Sequence, residues 1–202
     1  MKGILRIGVF YDGSHFNYAQ NHFWGKKLGW LSFQPTHTLF EDFVRKRYQG
    51  FQDYKVVYAA WYQGLYTTTS ATEKNLKLDR NRHQDLLHAG IEAKFHPMSQ
   101  SQGEKGIDVA MAIDILQIGL DDTIDVAILV TGDGDFVPLV RALMKKGRGG
   151  IVAYFEYEDG SRKSFANQRL KEACNFELNI NALEKDKEYK NLFKSLFKQS
   201  ET

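Results

Sequence analysis

A three-layer α/β/α sandwich around a mostly parallel sheet of five or six strands is the fold class this sequence predicts. Three observations carry it. Short β-branched, apolar runs alternate with segments of helical spacing along the chain. Two of those runs, residues 4–10 and 124–130, are apolar almost without interruption, as central strands covered on both faces are. The 202 residues, 43% hydrophobic, suffice for one continuous core, and with only 3 Pro and no low-complexity tract there is no linker to a second domain.

In chain order, strands are predicted over residues 4–10, 55–61, 93–96, 124–131 and 150–155, with a weaker one over 177–180. Leu39, Phe43 and Tyr48 suit a helix between the first two. Another runs from Leu76 to Ala89 and stops at Gly90. Val109, Ala112, Ile113 and Leu116 recur at i, i+3, i+4 and i+7 and predict a third helix on that stripe, ended by Gly119. Val137, Val140, Ala142 and Met144 sit on a fourth, which stops at Gly147. Residues 1–180 are read as the domain and 181–202 as a helical extension. In the extension Tyr189, Leu192, Phe193, Leu196 and Phe197 form an apolar stripe among Lys187, Lys190, Lys194 and Lys198. Such a stripe either docks on its own core or makes a homodimer or partner interface. The aromatic segment 18–35, with Phe23, Trp24, Trp30 and Phe33, receives no assignment.

Charge and cysteine narrow the function. With 27 Lys+Arg against 25 Asp+Glu the formal net charge is +2, which excludes attachment to nucleic acid by bulk charge alone. The single Cys174 excludes an intramolecular disulfide and a cysteine zinc cage, and the 6 His show no metal-binding spacing. No apolar run approaches the ~20 residues of a membrane span. The N-terminal run, interrupted by Arg6, is too short for a signal peptide, so a cytoplasmic protein is expected.

Acidic residues gather where the predicted strands end. The first strand runs into Tyr11-Asp12-Gly13-Ser14, the fourth into Thr131-Gly132-Asp133-Gly134-Asp135. Each places a carboxylate beside a glycine that lets the backbone turn. If the strands are neighbours, Asp12 and Asp133 approach each other at the carboxyl edge of the sheet, where ligands of parallel sheets bind. Asp108 opens the third helix, where the helix dipole favours an anion. Carboxylates so gathered repel one another unless a cation lies between them, and an oxygen-only set suits Mg²⁺ or Mn²⁺. Taken singly, each is also an ordinary turn or cap residue. Asp114, about 120° around the helix from Asp108, is a weaker ligand candidate.

Phe10-Tyr11-Asp12-Gly13-Ser14-His15-Phe16-Asn17, then Lys105-Gly106-Ile107-Asp108 through Asp114, then Val130-Thr131-Gly132-Asp133-Gly134-Asp135-Phe136 resemble, in order and spacing, the three motifs of the NYN domain, LabA-like branch. The resemblance implies a PIN-like fold and a divalent-metal-dependent ribonuclease. It implies Asp12, Asp108 and Asp133 as the metal site for Mg²⁺ or Mn²⁺, Asp135 as a further acidic member, and Asn17 as the residue that orients substrate or a metal-bound water. Thr131 stands where the family often has Ser, and keeps the hydroxyl. Hydrolysis by metal-activated water would leave a 5′-phosphate and a 3′-hydroxyl.

Substrate contacts are expected from Ser14, Lys105, Thr131, Arg80 and Tyr62. Arg80 belongs to a cationic group with Lys74, Lys77 and Arg82 that suits a phosphate backbone as well as it suits a solvated helix face. A second basic group, Lys145-Lys146-Gly147-Arg148, follows a helix and suits its C-terminal dipole. Tyr62, Tyr66 and the run 67–69 follow the second strand and suit base stacking, with Arg162 and Lys163 on the rim. The expected partner is RNA. The rival is a non-catalytic RNA-binding or regulatory module on the same fold. An aspartyl phosphatase is disfavoured because Ser14 stands where such an enzyme places its second Asp.

Overall fold

The computed structural model describes residues 2–66, 71–98, 106–160 and 162–198. Its elements in order are β1 (Lys2–Asp12), α1 (Gly13–Gly25), β2 (Trp30–Leu31), α2 (Phe33–Arg47), β3 (Phe51–Tyr66), α3 (Glu73–His88), β4 (Glu92–Met98) and α4 (Ile107–Leu120). There follow β5 (Val126–Val130), α5 (Val137–Lys145), β6 (Gly149–Tyr154), the hairpin β7 (Tyr157–Asp159) and β8 (Arg162–Ser164), α6 (Gln168–Ala173), β9 (Phe176–Asn179), α7 (Lys190–Ser195) and β10 (Phe197–Lys198).

Six strands form one sheet in the order β4-β3-β1-β5-β6-β9, and each neighbouring pair is parallel. The two nearly continuous apolar runs lie side by side, from Ile7 opposite Val126 to Tyr11 opposite Val130. Alternation along β1 divides the core. Leu5, Ile7, Val9 and Tyr11 face Phe16, Phe23, Leu39, Phe43 and Phe193 of α1, α2 and α7. Phe10 faces the opposite way, onto Met111, Ile115, Leu139, Leu143 and Leu170 of α4, α5 and α6. The three-layer sandwich with a parallel sheet is therefore as expected. No helix among the described residues is long and apolar enough to cross a membrane.

Helix ends follow local chemistry. The Thr72 side chain accepts from the Asn75 amide and starts α3, and Gly90 at φ 69° ends its last turn. Val137 and Pro138 open α5, where the missing proline N–H costs nothing, and Gly147 at φ 74° closes it.

One expectation is corrected, one unassigned segment is filled and one alternative is selected. The α4 stripe faces the other way: Ile107, Met111, Ile115 and Gly119 are buried, while Val109 and Ile113 are 63% and 58% exposed. α4 is apolar on nearly every side, so periodicity cannot select the buried face. The unassigned segment 18–35 holds most of α1, then β2 and the start of α2. The C-terminal stripe spans only a short helix before the chain turns into β10, which pairs antiparallel with β2. Tyr189, Phe193 and Leu196 are buried in the chain's own core, and Ser32 N donates to Leu196 O at 2.7 Å. That face is covered from within.

Candidate active site at the β1–β5 edge

Because the six strands are parallel, their carboxyl ends share one edge. The chain steps outward from β1 to β3 and β4, then returns to lay β5, β6 and β9 on the other side of β1. The strand order reverses between β1 and β5, and a crevice opens beyond the strand ends at such a point. Asp12 ends β1 there, and Thr131 to Asp135 leave β5 there.

Asp12 is held from three sides. As the N-cap of α1 it accepts from Ser14 N at 3.0 Å and His15 N at 3.1 Å through Oδ1. Its Oδ2 accepts from Thr131 Oγ1 at 3.0 Å, so a side chain from one central strand fixes the carboxylate of the other. The Asp133 amide donates to Thr131 Oγ1 at 3.2 Å, and Asp135 N donates to Asp133 Oδ1 at 2.9 Å. Asp12, Thr131, Asp133 and Asp135 thus form one chain of hydrogen bonds across the switch point. Asp133 and Asp135 are exposed and make no ion pair among the described residues.

The turns are sterically closed to larger residues. A Cβ on Gly13 would lie 2.7 Å from Tyr62 O, and one on Gly132 would lie 2.6 Å from Phe165 O. Asn167, invisible as a site residue in the sequence, seats the second turn: its amide donates to Gly132 O at 2.8 Å. Its side chain packs over Gly134. His15 is equally hidden in the sequence. Burial pushes its imidazole down to about 4, so it is neutral, and Nε2 accepts from Phe155 N at 3.4 Å. Both lie behind the turns and brace them.

Asp108 stands in the first turn of α4, exposed, with Gly106 at φ 85° just before the helix. The crossover from β4 starts α4 at the same carboxyl edge, so Asp12, Asp108 and Asp133 share that edge. Asp114, six residues on, is engaged elsewhere: Lys94 Nζ lies 2.9 Å from its Oδ2, and Tyr62 OH donates to it at 3.3 Å. As a donor set the carboxylates suit a hard divalent cation. They are not drawn into a closed cage, however, since among the described residues no three His, Cys, Asp or Glu form a group that could hold a metal ion.

Of the substrate-binding expectations, Ser14 is half-buried beside Asp12 and faces a groove between α1 and α3. Asn17 also lines that groove. Its Nδ2 donates to Gln63 Oε1 at 3.4 Å and its Oδ1 accepts from Arg82 at 3.0 Å. Tyr62 does not offer a ring to a base. β3 continues to Tyr66, which puts Tyr62 inside the strand opposite Asp12, and the ring is 1% exposed. Burial, then the nearby Asp114, raises its hydroxyl pKa far above the ordinary range. Thr131 is fully buried and acts on Asp12 rather than on a ligand. Arg80 is exposed and does not line the groove. Lys105 and the run 67–69 lie outside the described residues, as do the side chains of Tyr66 and Arg162.

A fully parallel α/β/α sheet with carboxylates at its switch point is consistent with a PIN-like nuclease fold. The chain belongs to the NYN domain family, whose model matches residues 6–179. It is 31% identical over 114 residues to an uncharacterised protein of Methanocaldococcus jannaschii, a match covering 56% of this chain and 46% of that one. The chain therefore spans about half the length of that curated relative. A crystal structure of a protein of unknown function from Vibrio parahaemolyticus is similar in fold, with a TM-score of 0.60 at 21% identity, over 87% of this chain and 93% of that one.

Proposed function

We propose that this NYN domain is a divalent-metal-dependent endoribonuclease acting in the cytoplasm. The observation that carries the reading is the hydrogen-bonded chain from Asp12 through Thr131 to Asp133 and Asp135, laid across the switch point of a nuclease-like fold. Asp12, Asp108 and Asp133 are the residues that would hold Mg²⁺ or Mn²⁺, with Asp135 adding negative charge beside them. When bound, such an ion supplies Lewis-acid polarisation of the scissile phosphodiester. The chain's own part is positioning. Thr131 and the α1 amides fix the Asp12 carboxylate, and Asn17, held between Gln63 and Arg82 in the adjoining groove, would orient the substrate. With catalytic side chains supported on rigid strand ends, little reorganisation is needed on substrate arrival.

A second reading is a non-catalytic RNA-binding or regulatory module. It is favoured by the open arrangement of the carboxylates, each of which also caps or opens a local helical turn.

End-labelled single-stranded RNA with Mn²⁺ separates the two. The nuclease reading expects cleavage to 5′-phosphate ends, lost in EDTA and in Asp133→Asn. Cleavage that survives both controls, or 2′,3′-cyclic ends, defeats this mechanism. Binding without cleavage supports the second reading.

A further inference from the structure

A cleft adjoins the acidic edge but holds none of its carboxylates. It lies between α1 and α3, has a volume of about 960 Å³, and begins at Ser14, whose amide holds Asp12. Each wall is formed by one helix. On α1 the lining residues Ser14, Asn17, Tyr18 and Asn21 recur at i, i+3, i+4 and i+7. On α3 Asn75, Leu78, Asp79 and Arg82 repeat that spacing, joined by Asn81, Gln84 and Asp85. Two helices that face each other ordinarily interdigitate apolar side chains. Here they present amides instead, and α3 buries only Leu86. The side chains of Asn21 and Asn75 make no hydrogen bond among the described residues, so their donors and acceptors remain open to a ligand.

Buried rings back the guanidinium of Arg82, and exposed rings stand at the outer end. Arg82 lies over Trp61 at 5.1 Å, Phe33 at 5.8 Å and Phe16 at 5.9 Å, and among the described residues it makes one hydrogen bond, to Asn17, and no ion pair. A guanidinium held by rings on one side keeps its remaining N–H donors for a phosphate. At the outer end Tyr18 is 68% exposed, and Trp30 packs on Trp24 with ring centroids 4.8 Å apart, both partly exposed. Asp79 and Asp85 line the same groove, which excludes a channel that works by positive charge alone. One guanidinium, open amides and exposed rings match the chemistry of an unpaired strand: one phosphate, base edges and base faces. A volume typical of small-ligand clefts admits splayed nucleotides and not a duplex.

The geometry points to the α1–α3 groove as the track for single-stranded nucleic acid leading to or from Asp12, with Arg82 on a backbone phosphate and Tyr18 and Trp30 as stacking platforms. The inference rests on the nuclease reading for its direction but not for its existence, because binding is measurable without cleavage.

Fluorescence anisotropy in EDTA, with labelled ten-nucleotide oligo-U, the matching oligo-dT and the oligo-U·oligo-A duplex, tests it. The expected result is binding of one or both single strands in clear preference to the duplex. Tyr18→Ala and Trp30→Ala each weaken that binding about fivefold or more, since base–aromatic stacking is worth ~1–3 kcal/mol. Arg82→Gln weakens it too, while Arg141→Gln on the opposite face leaves it unchanged. Tyr18 is a surface residue, so its variant folds even if Arg82→Gln does not. Unchanged binding in both aromatic variants, equal affinity for the duplex, or no binding of any strand overturns the proposal. Wild-type protein that binds in the groove yet never cuts with metal keeps the groove and removes the nuclease. Cutting that persists when Tyr18→Ala alters neither binding nor cleavage does the reverse.

Discussion

The Thr131 hydroxyl donates to Asp12 Oδ2 at 3.0 Å, joining the two central strands at the residues where they end. A hydrogen bond to a charged acceptor contributes about 1.5–3 kcal/mol. Thr131→Val keeps the shape and removes the donor. It is expected to lower the melting temperature by roughly 3–12 °C, using about 2–4 °C per kcal/mol for a chain of this size. Thr131→Ser restores most of the loss. A valine variant that melts with wild type in calorimetry would show that Asp12 does not depend on this hydroxyl.

Tyr62 separates a structural from a binding role. Its ring is buried and its hydroxyl donates to Asp114 at 3.3 Å. Tyr62→Phe should cost about 1 kcal/mol of stability by urea titration, the scale of one ordinary hydrogen bond, with oligonucleotide affinity unchanged. A drop in affinity without a drop in stability would restore the stacking role to this residue.

Gly132 is closed to substitution for a reason that is not conformational. A methyl there meets the carbonyl oxygen of Phe165 at 2.6 Å, and backbone cannot rotate aside as a side chain does. Gly132→Ala is expected to destabilise by about 1–3 kcal/mol, the usual cost of overpacking, and to displace the Asp133 turn. Gly3→Ala, where nothing lies within 4 Å, is the matched control. Equal denaturation midpoints for the two would contradict the close approach.

Acid should weaken the fold well above the carboxylate range. Burial pushes His37 down to about 4, and its Nε2 has no hydrogen-bond partner among the described residues. In the unfolded chain an imidazole titrates at about 6.5. Between those values the unfolded state binds a proton that the folded state refuses. Stability is therefore complete above about pH 6.5 and falls as the pH drops towards 4, by at most on the order of 3 kcal/mol from this group. His37→Phe should flatten that slope in urea titrations at stepped pH; a slope identical to wild type would place the acid sensitivity elsewhere.

Removal of residues 181–202 strips Leu183, Tyr189, Phe193 and Leu196 from the core. The truncated chain is expected to lose its cooperative melt, and Phe193→Ala alone to cost about 3–5 kcal/mol. A truncated protein that melts like the full chain would mark the segment as an accessory.

The sequence by itself determined the layered parallel fold, the pairing of β1 with β5, and the carboxylates at their ends. These are local or periodic properties. A fully covered strand is apolar throughout, a tight turn needs glycine, and both are written in consecutive residues. Tertiary structure alone decided which side of α4 is buried, because a helix apolar on most faces carries no preferred direction. It also decided that β3 runs on to Tyr66 and hides Tyr62, a matter of how far β4 can pair alongside, from Ala60 opposite Glu92 to Tyr66 opposite Met98. The α1–α3 groove was out of reach for the same kind of reason. Asn17, Gln63 and Arg82 lie 46 and 65 residues apart in two of their pairings, and no pattern within one helix reports the face that another helix leaves open.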